Sequence, residues 1–497
     1  MKLWLLVRRV FAGWLLLAVA LASAPLPNIV YVLCDDLGYG DVHCLNPRRG
    51  KIPTPNADRL AAQGMIFTDM HGGSSVCTPT RYGLLTGRYC WRTRLQSGVL
   101  DNYVTPLIAP DRLTVPALLK QHGYHTACIG KWHLGFTITD EEKSDGKKKG
   151  EGKKKDGAPL GARTGDGPLT RGFDHFFGFH HARMMKSLFT DDRVTESVEP
   201  VEMLPKLARH ASDYIAARAQ SGQPFFLYLA LNSPHTPIVP AAAWQGKSGL
   251  GKYGDYVMQT DAVLGEVLAA LDKAGVAGNT LVIFTSDNGC SPAAGVEQLE
   301  KQGHFPSANL RSYKSDIWDG GHRIPFIARW PGVVKPGSTC GQLGCLTDLL
   351  ATCAELTGTK LPANAGEDSV SLLPLLKGGD KPFDSAQGRP VREVVVHHSI
   401  HGMFAIRQGG HKLILGAGSG GWGKGGRDGA PVQIYDMATD IGEQQNRQAV
   451  DKAEVAHLTK LMEKIVTDGR STPGPAQKND IEIKLWKKDA PVAAASE

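Results

Sequence analysis

Four stretches of this 497-residue chain share one plan, an apolar run that stops at a cluster of polar residues. Asn28-Ile29-Val30-Tyr31-Val32-Leu33-Cys34 runs into Asp35-Asp36, and Thr126-Ala127-Cys128-Ile129 into Gly130-Lys131-Trp132-His133. Phe225 to Leu231 runs into Asn232-Ser233-Pro234-His235, and Leu281-Val282-Ile283-Phe284 into Thr285-Ser286-Asp287-Asn288. Continuous apolar runs of this length suit strands covered on both faces, as in a parallel sheet between helices. In open α/β sheets the ligand site lies beyond the carboxyl ends of the strands. Each polar cluster falls there, so the pattern predicts four strand ends converging on one site.

Helical segments alternate with these runs: Thr54 to Gly64, Leu113 to His122, Ala208 to Gln220 and Gly254 to Lys273, each ending at or just before a glycine. In the last, Tyr256, Val257, Val263, Leu264, Val267, Leu268 and Leu271 form a stripe at helical spacing that reads as core packing. The expected fold is α/β, a large, mostly parallel mixed sheet sandwiched by helices. Toward the C-terminus, Val394-Val395-Val396, Phe404-Ala405-Ile406, Lys412 to Leu415 and Gln433 to Asp436 read as short strands. With a helix over Ala453 to Val466, they predict a small antiparallel sheet, interrupted by the glycine-rich stretch 416–429. A catalytic domain over 25–380 and a C-terminal subdomain over 390–471 follow, divided near Gly378 to Arg389 and trailed by a polar, flexible tail over 472–497.

With 42% hydrophobic and 21% charged residues, the chain can bury a large core. Its formal charge of +7 comes from Lys and Arg spread along the sequence without a nucleic-acid motif, which favours anionic substrates over nucleic acid. The Lys/Gly-rich stretch within 140–168 cannot bury apolar surface and is expected to be a mobile loop insertion, either solvated without a role or overhanging the pocket. Residues 1–24 carry Lys2, Arg8 and Arg9, then an apolar stretch, then small residues around Ala22 to Ala24, the order of a secretory signal peptide. This predicts export, periplasmic or extracellular, with no stable membrane partner; an uncleaved anchor is the alternative, though its apolar run is shorter than the roughly 20 residues a span needs. Nine cysteines leave at least one thiol unpaired, and Cys34 and Cys128, inside apolar runs, read as buried free thiols.

Asp35, Asp36, Asp287 and Asn288 are hard oxygen donors following two of the predicted strands. Gathered together, three carboxylates would repel one another unless a cation intervened, and an all-oxygen set suits calcium or magnesium. Either pair alone could equally cap a turn. Cys77 opens a predicted helix, with Pro79 in its first turn, and Arg81 lies one turn on, on the same face. A helix N-terminus with an arginine suits an anion. From the residues alone, Cys77 is either a thiolate nucleophile of the phosphatase type or a buried structural cysteine.

Cys77-Thr78-Pro79-Thr80-Arg81, followed by Leu84-Leu85-Thr86-Gly87-Arg88, resembles the signature of the type I, formylglycine-dependent sulfatases of the alkaline phosphatase superfamily. In that family the cysteine of C-x-P-x-R is oxidised to formylglycine. The resemblance extends to Asp35-Asp36-Leu37-Gly38-Tyr39-Gly40-Asp41, to Gly130 through Gly135, to Arg171-Gly172-Phe173-Asp174, to Ser233-Pro234-His235-Thr236-Pro237, to Thr285 through Gly289, and to Leu310-Arg311-Ser312-Tyr313-Lys314 with Asp319 through Pro325. It implies one calcium ion per chain held by Asp35, Asp36, Asp287, Asn288 and the hydrated formylglycine at position 77, with Arg81 bracing that hydrate. It further implies that Lys131 and Lys314 grip the sulfate while His133 and His235 move protons. The implied activity is hydrolysis of a sulfate ester on a small molecule or glycan, after oxidation by a formylglycine-generating enzyme. Rival readings are a phosphonate monoesterase or phosphodiesterase of the same superfamily, and a non-catalytic sulfoglycan-binding protein if Cys77 stays unmodified.

Overall fold

The computed structural model describes residues 25–139, 157–378, 390–425 and 430–487. The four apolar runs become four adjacent parallel strands, in the order Thr280–Ser286, Asn28–Asp35, Phe225–Pro234 and His125–Lys131. Because all four point the same way, their polar ends emerge at one edge. Their side chains alternate between two apolar layers. Tyr31 and Leu33 face Leu84, Leu118 and Leu349 on one side, and Val30 and Val32 face Leu60, Leu204 and Leu264 on the other. Each fully buried Leu or Val contributes about 1.5–3 kcal/mol relative to exposure, so a strand covered on both faces is well anchored.

Six further strands complete a ten-stranded mixed sheet. Phe326–Arg329, Met65–Phe67 and Ser338–Cys340 extend one side, and His175–Phe179, Ser187–Thr190 and Arg193–Ser197 the other. Pairing with His125–Lys131 is so close that a Cβ at Gly130 would collide with the Ala230 carbonyl, and Gly130 also has φ of 112°. Only glycine fits one residue before Lys131.

The helices predicted from residue 54 and residue 113 are Pro55–Ala62 and Val115–Lys120, and the fourth is Gly251–Lys273. The third begins eight residues before its expected start, as Pro200–Ser221. Pro205 lies in its second turn, where a proline reads locally as a helix stop, but tertiary packing of Met203, Leu204 and Leu207 carries the helix through.

The C-terminal subdomain is the expected antiparallel sheet, Val394–His398, Phe404–Gln408, His411–Ile414 and Gln433–Asp436. Helix Lys452–Thr467 covers one face through Leu458, Met462 and Ile465. The other face, through Ala405, Ile414 and Tyr435, packs on Ile317 and Trp318, three and four residues beyond Lys314.

Two expectations of mobility give way where the chain is described. Residues 157–168 of the expected insertion are tied into the body, with Thr139 N donating to Arg163 O at 2.8 Å and Gly161 N to Val194 O at 2.9 Å. The polar tail is docked as far as residue 487: Asp480 accepts from Arg88 at 3.0 Å, Asn479 from Arg92 at 3.0 Å, and Ile483 and Leu485 lie against the subdomain core. The expected signal segment 1–24, the Lys-rich residues 140–156, the proposed boundary at 379–389, the glycines within 426–429 and the terminus 488–497 lie outside the described residues. Cys34 and Cys128 are free thiols, fully buried as expected. Among the described residues no helix is long and apolar enough to cross a membrane.

Candidate active site

Asp35 closes its strand and Asp36 turns out of it with φ of 67°, a left-handed conformation that aims consecutive carboxylates into one space. His133, two residues past its strand, has φ of 55°, and Ser312 and Ser315 on either side of Lys314 have φ of 65° and 84°. Strained backbone thus gathers around the predicted site.

Cys77 is the first residue of helix Cys77–Thr86, all ten residues of which are buried, and the helix stops at Gly87 in the left-handed conformation. Its Sγ lies 3.4 Å from Asp35 Oδ1, and Lys314 Nζ approaches it at 3.6 Å. Donor atoms of Asp35, Asp36, Cys77 and His235 all fall within 4.8 Å of one another. Asp287 and Asn288 join this group through Asp36, whose N–H donates to Asp287 Oδ1 at 3.3 Å and whose Oδ1 accepts from Asn288 Nδ2 at 2.8 Å.

The basic residues face these carboxylates. Lys131 Nζ donates to Asp35 Oδ2 at 2.5 Å, and Lys314 Nζ lies 2.6 Å from Asp36 Oδ1. Arg81 donates to Asp287 through Nε at 3.0 Å and Nη2 at 2.7 Å, stands 3.7 Å from Asp35 and also holds the Lys131 carbonyl at 3.1 Å. Arg81 therefore braces the acidic cluster and the Lys131 strand end, and its guanidinium is committed to protein partners.

Burial pushes the Cys77 thiol up to about 12, against the pull of Lys131 and Lys314. Burial thus disfavours the thiolate, which weighs against the thiolate-nucleophile reading. Burial opposes the charge on Asp35, yet Lys131, His235, Arg81 and Lys314 hold its carboxyl well below the usual range. Asp287, pushed by burial and then by Asp35, rises to about 6 in spite of Arg81. Burial, with Lys131 and His181 behind it, keeps His133 neutral. Its Nε2–H donates to Leu100 O at 2.9 Å, leaving Nδ1 as a lone pair that is buried without a partner. His235 is held below its ordinary value by burial and Lys314; its Nδ1–H donates to Thr236 O at 2.6 Å and its Nε2 lies 3.7 Å from Asp36.

All the residues expected at the site are brought to one strand-end cluster. Sequence reasoning stopped short of two features. The strand His175–Phe179 ends in His180-His181, and the His181 ring lies 4.5 Å from that of His133. The signal was present, since Phe176-Phe177-Gly178-Phe179 is a fifth apolar run ending at polar residues. The second is the glycine-rich stretch, whose described part braces the Lys314 segment: Trp422 N donates to Ser315 Oγ at 3.0 Å and Gly423 N to Asp316 Oδ1 at 2.9 Å. A Cβ at Gly421 or Gly423 would collide with the Asp316 carboxylate, which accounts for glycine there.

The sulfatase family model matches residues 27–359. An N-acetylgalactosamine-6-O-sulfatase of Bacteroides thetaiotaomicron is 31% identical, covering 89% of this chain and 93% of the relative, and arylsulfatase A of Bos taurus is 32% identical, covering 93% and 92%. A solved structure described under metabolism of multiple glycosaminoglycans by Bacteroides thetaiotaomicron superposes with a TM-score of 0.75 at 29% identity, covering 89% of this chain and 99% of its own. Strand-end carboxylates, a buried cysteine at a helix start and paired lysines thus coincide with a match over most of the sequence: the chain belongs to the sulfatase family, the enzymes that hydrolyse sulfate esters.

Proposed function

We propose that this chain hydrolyses a sulfate monoester to an alcohol or phenol and inorganic sulfate, using formylglycine made from Cys77 and one calcium ion. The observation that carries this reading is the Cys77 thiol itself. It stands at the centre of the cage, 3.4 Å from Asp35 and 3.6 Å from Lys314, yet burial disfavours its thiolate form. A nucleophile's position filled by an inert thiol suits a precursor.

The donor set fits a hard cation. Asp35, Asp36 and Asp287 offer carboxylates, and Asn288 Oδ1 is buried without a hydrogen-bond partner. These four residues would hold calcium, which would supply positive charge to the sulfate oxygens and acidify the formylglycine hydrate at position 77. In the structure the three carboxylates are matched by three cations, Arg81, Lys131 and Lys314. With the carboxylates engaged by a cation, Lys131 and Lys314 would be available to an anionic ester.

Lys131 and Lys314 would grip the sulfate oxygens, favouring the charge that builds on them as the S–O bond breaks. His235 Nε2, its ring fixed by the bond from Nδ1, would deliver a proton to the leaving oxygen; an arriving anion favours the charged imidazolium that burial otherwise disfavours. As the ester S–O bond breaks, an oxygen of the hydrate at position 77 would bond to sulfur, and His133 Nδ1, already a bare lone pair, would then take the proton of the remaining hydroxyl, so that the aldehyde returns and the new S–O bond breaks to free sulfate. Residues 1–24 would direct export, and a formylglycine-generating enzyme of the host would act on the segment around Cys77.

The names of the relatives put N-acetylgalactosamine 6-sulfate and aryl sulfates first among esters to assay. The test pairs mass spectrometry of tryptic peptide 60–81 from protein made in its native host with turnover of a chromogenic aryl sulfate, a 6-sulfated N-acetylgalactosamine and a chromogenic phosphodiester. Aldehyde at position 77 with preferred sulfate release is the expected result. Preferred phosphodiester cleavage, or turnover by chains with an intact thiol, overturns it.

A further inference from the structure

The strand His175–Phe179 runs parallel to His125–Lys131, so its carboxyl end delivers His180-His181 to the same sheet edge as the cage. His181 is 5% exposed. Its ring lies 4.5 Å from that of His133, tilted by 54°, and 6.5 Å from that of His235, at 78°. It therefore stands beside both histidines that the proposed function uses.

The chain settles which ring nitrogen of His181 carries the proton. His181 Nδ1 accepts the backbone N–H of Arg183 at 3.1 Å, at the start of the short turn Ala182–Met184. The proton of the neutral ring is left on Nε2. Burial and then Lys131 push its protonation far down, so the ring offers an N–H without a charge. Among the described residues the one hydrogen bond of the His181 ring is that at Nδ1, and Nε2–H is bonded to none of them. Its position is held from behind by His180, which packs edge-on against His133 and Phe136 and whose carbonyl accepts from His133 N at 2.8 Å.

An N–H beside the cage that is bonded to no other described residue is available to a ligand that supplies an acceptor. The oxygens of a sulfate group accept hydrogen bonds and donate none. We propose that His181 is a further substrate-contacting residue, donating its Nε2–H to an oxygen of the bound sulfate group between His133 and His235. This rests on the sulfatase reading of the cage, and it adds to the two lysines a neutral, directional contact. Such a bond is present with substrate and with product sulfate alike, so its loss weakens binding of both while leaving proton transfer to His133 and His235.

The test compares wild type with His181→Ala and His181→Gln, each calcium-loaded and with formylglycine occupancy measured. Inorganic sulfate binding is followed by calorimetry, and aryl sulfate turnover is followed across pH. His181→Ala should raise the sulfate dissociation constant and KM by about tenfold, the loss of one hydrogen bond to a charged group, with the limbs of the pH profile unmoved. His181→Gln, whose amide N–H reaches where Nε2–H does, should recover most of that loss. The proposal is overturned if the alanine variant binds sulfate within twofold of wild type. Equal losses in both variants with a displaced pH limb also overturn it, because His181 would then act through His133. Wild type that binds sulfate but releases none from any ester sinks the proposed activity and leaves the contact standing; wild type that binds no sulfate sinks both.

Discussion

The Lys314 to Arg323 segment contributes to two buried clusters of charge, Lys314 to one and Asp319 and Arg323 to the other, and they pair in different ways. At the cage, Asp35, Asp36 and Asp287 meet Arg81, Lys131 and Lys314, while Asn288 Oδ1 and His133 Nδ1 are left without partners. At the junction with the C-terminal sheet the charges pair across two parts of the fold, and Asp319 Oδ2, His322 Nε2 and His397 Nδ1 are likewise left without hydrogen-bond partners. Arg407 grips Asp69 with two bonds of 2.8 Å, Lys412 bridges Asp319 at 2.7 Å and Glu443 at 2.8 Å, and His71 joins Asp69 at 2.9 Å to His397 at 3.1 Å. The junction spends its charges on joining two parts of the fold. The cage holds lysines that can exchange partners, which is what ligand binding requires.

The comparison is sharpest at Cys77 and Arg407. Cys77→Ala should lower turnover by at least about four orders of magnitude, the loss expected when a nucleophile is removed, while the melting temperature stays near that of wild type. Arg407→Ala should do the reverse. It removes two bonds from the buried Asp69 carboxylate, which keeps His71 and Arg323, and should cost about 1.5–3 kcal/mol, read as a lower denaturant midpoint, with turnover per folded molecule retained. An Arg407 variant that is stable but inactive would erase the distinction.

Much of the cage was legible because a strand buried on both faces must be a continuous apolar run, and such a run marks its own end. Asp35, Lys131, His235 and Asp287 could be placed on one edge for that reason alone. The junction was not legible. Asp69 lies in a bend between two short strands and Asp319 and Arg407 on short elements, joined where the sheet face of Ala405 and Ile414 packs on Ile317 and Trp318. Three-residue strands such as Met65–Phe67 carry too little periodicity to be read, because neighbours set their pairing. The tail escaped for another reason: Asn479 and Asp480 are ordered by Arg88 and Arg92, so its partners are polar groups buried far away in sequence.

Removal of calcium should separate the regions again, with a smaller effect. A chelator should abolish turnover and lower the melting temperature, by the linkage of about 2.7 kcal/mol expected at a hundredfold excess over the dissociation constant. Added calcium should restore both. The same shift should appear in Arg407→Ala, since clusters with no shared partner behave additively. A chelator shift that vanishes in that variant would mean the junction supports the metal site directly.

The smallest effect is in the pH dependence of the junction. Burial holds His71, His322 and His397 below their ordinary values, further for the latter two, so the folded chain keeps them neutral. Below about pH 6.5 the unfolded chain takes up protons that these rings refuse, and stability falls with pH. Glu443 has the opposite sign. Burial, with Asp319 beside it and Lys412 opposing, raises it to about 7, so its contribution is lost as pH rises toward 7. Other buried histidines add to the acid-side slope, which makes the informative quantity a difference between chains. His397→Gln preserves an N–H for His71 Nδ1 but removes one titrating ring. It should flatten the stability slope between pH 6.5 and 5 by up to about 1.4 kcal/mol per pH unit, measured by denaturant unfolding. An unchanged slope would show that His397 takes up its proton equally in both states, and that the junction, like the cage, has room for charge to change.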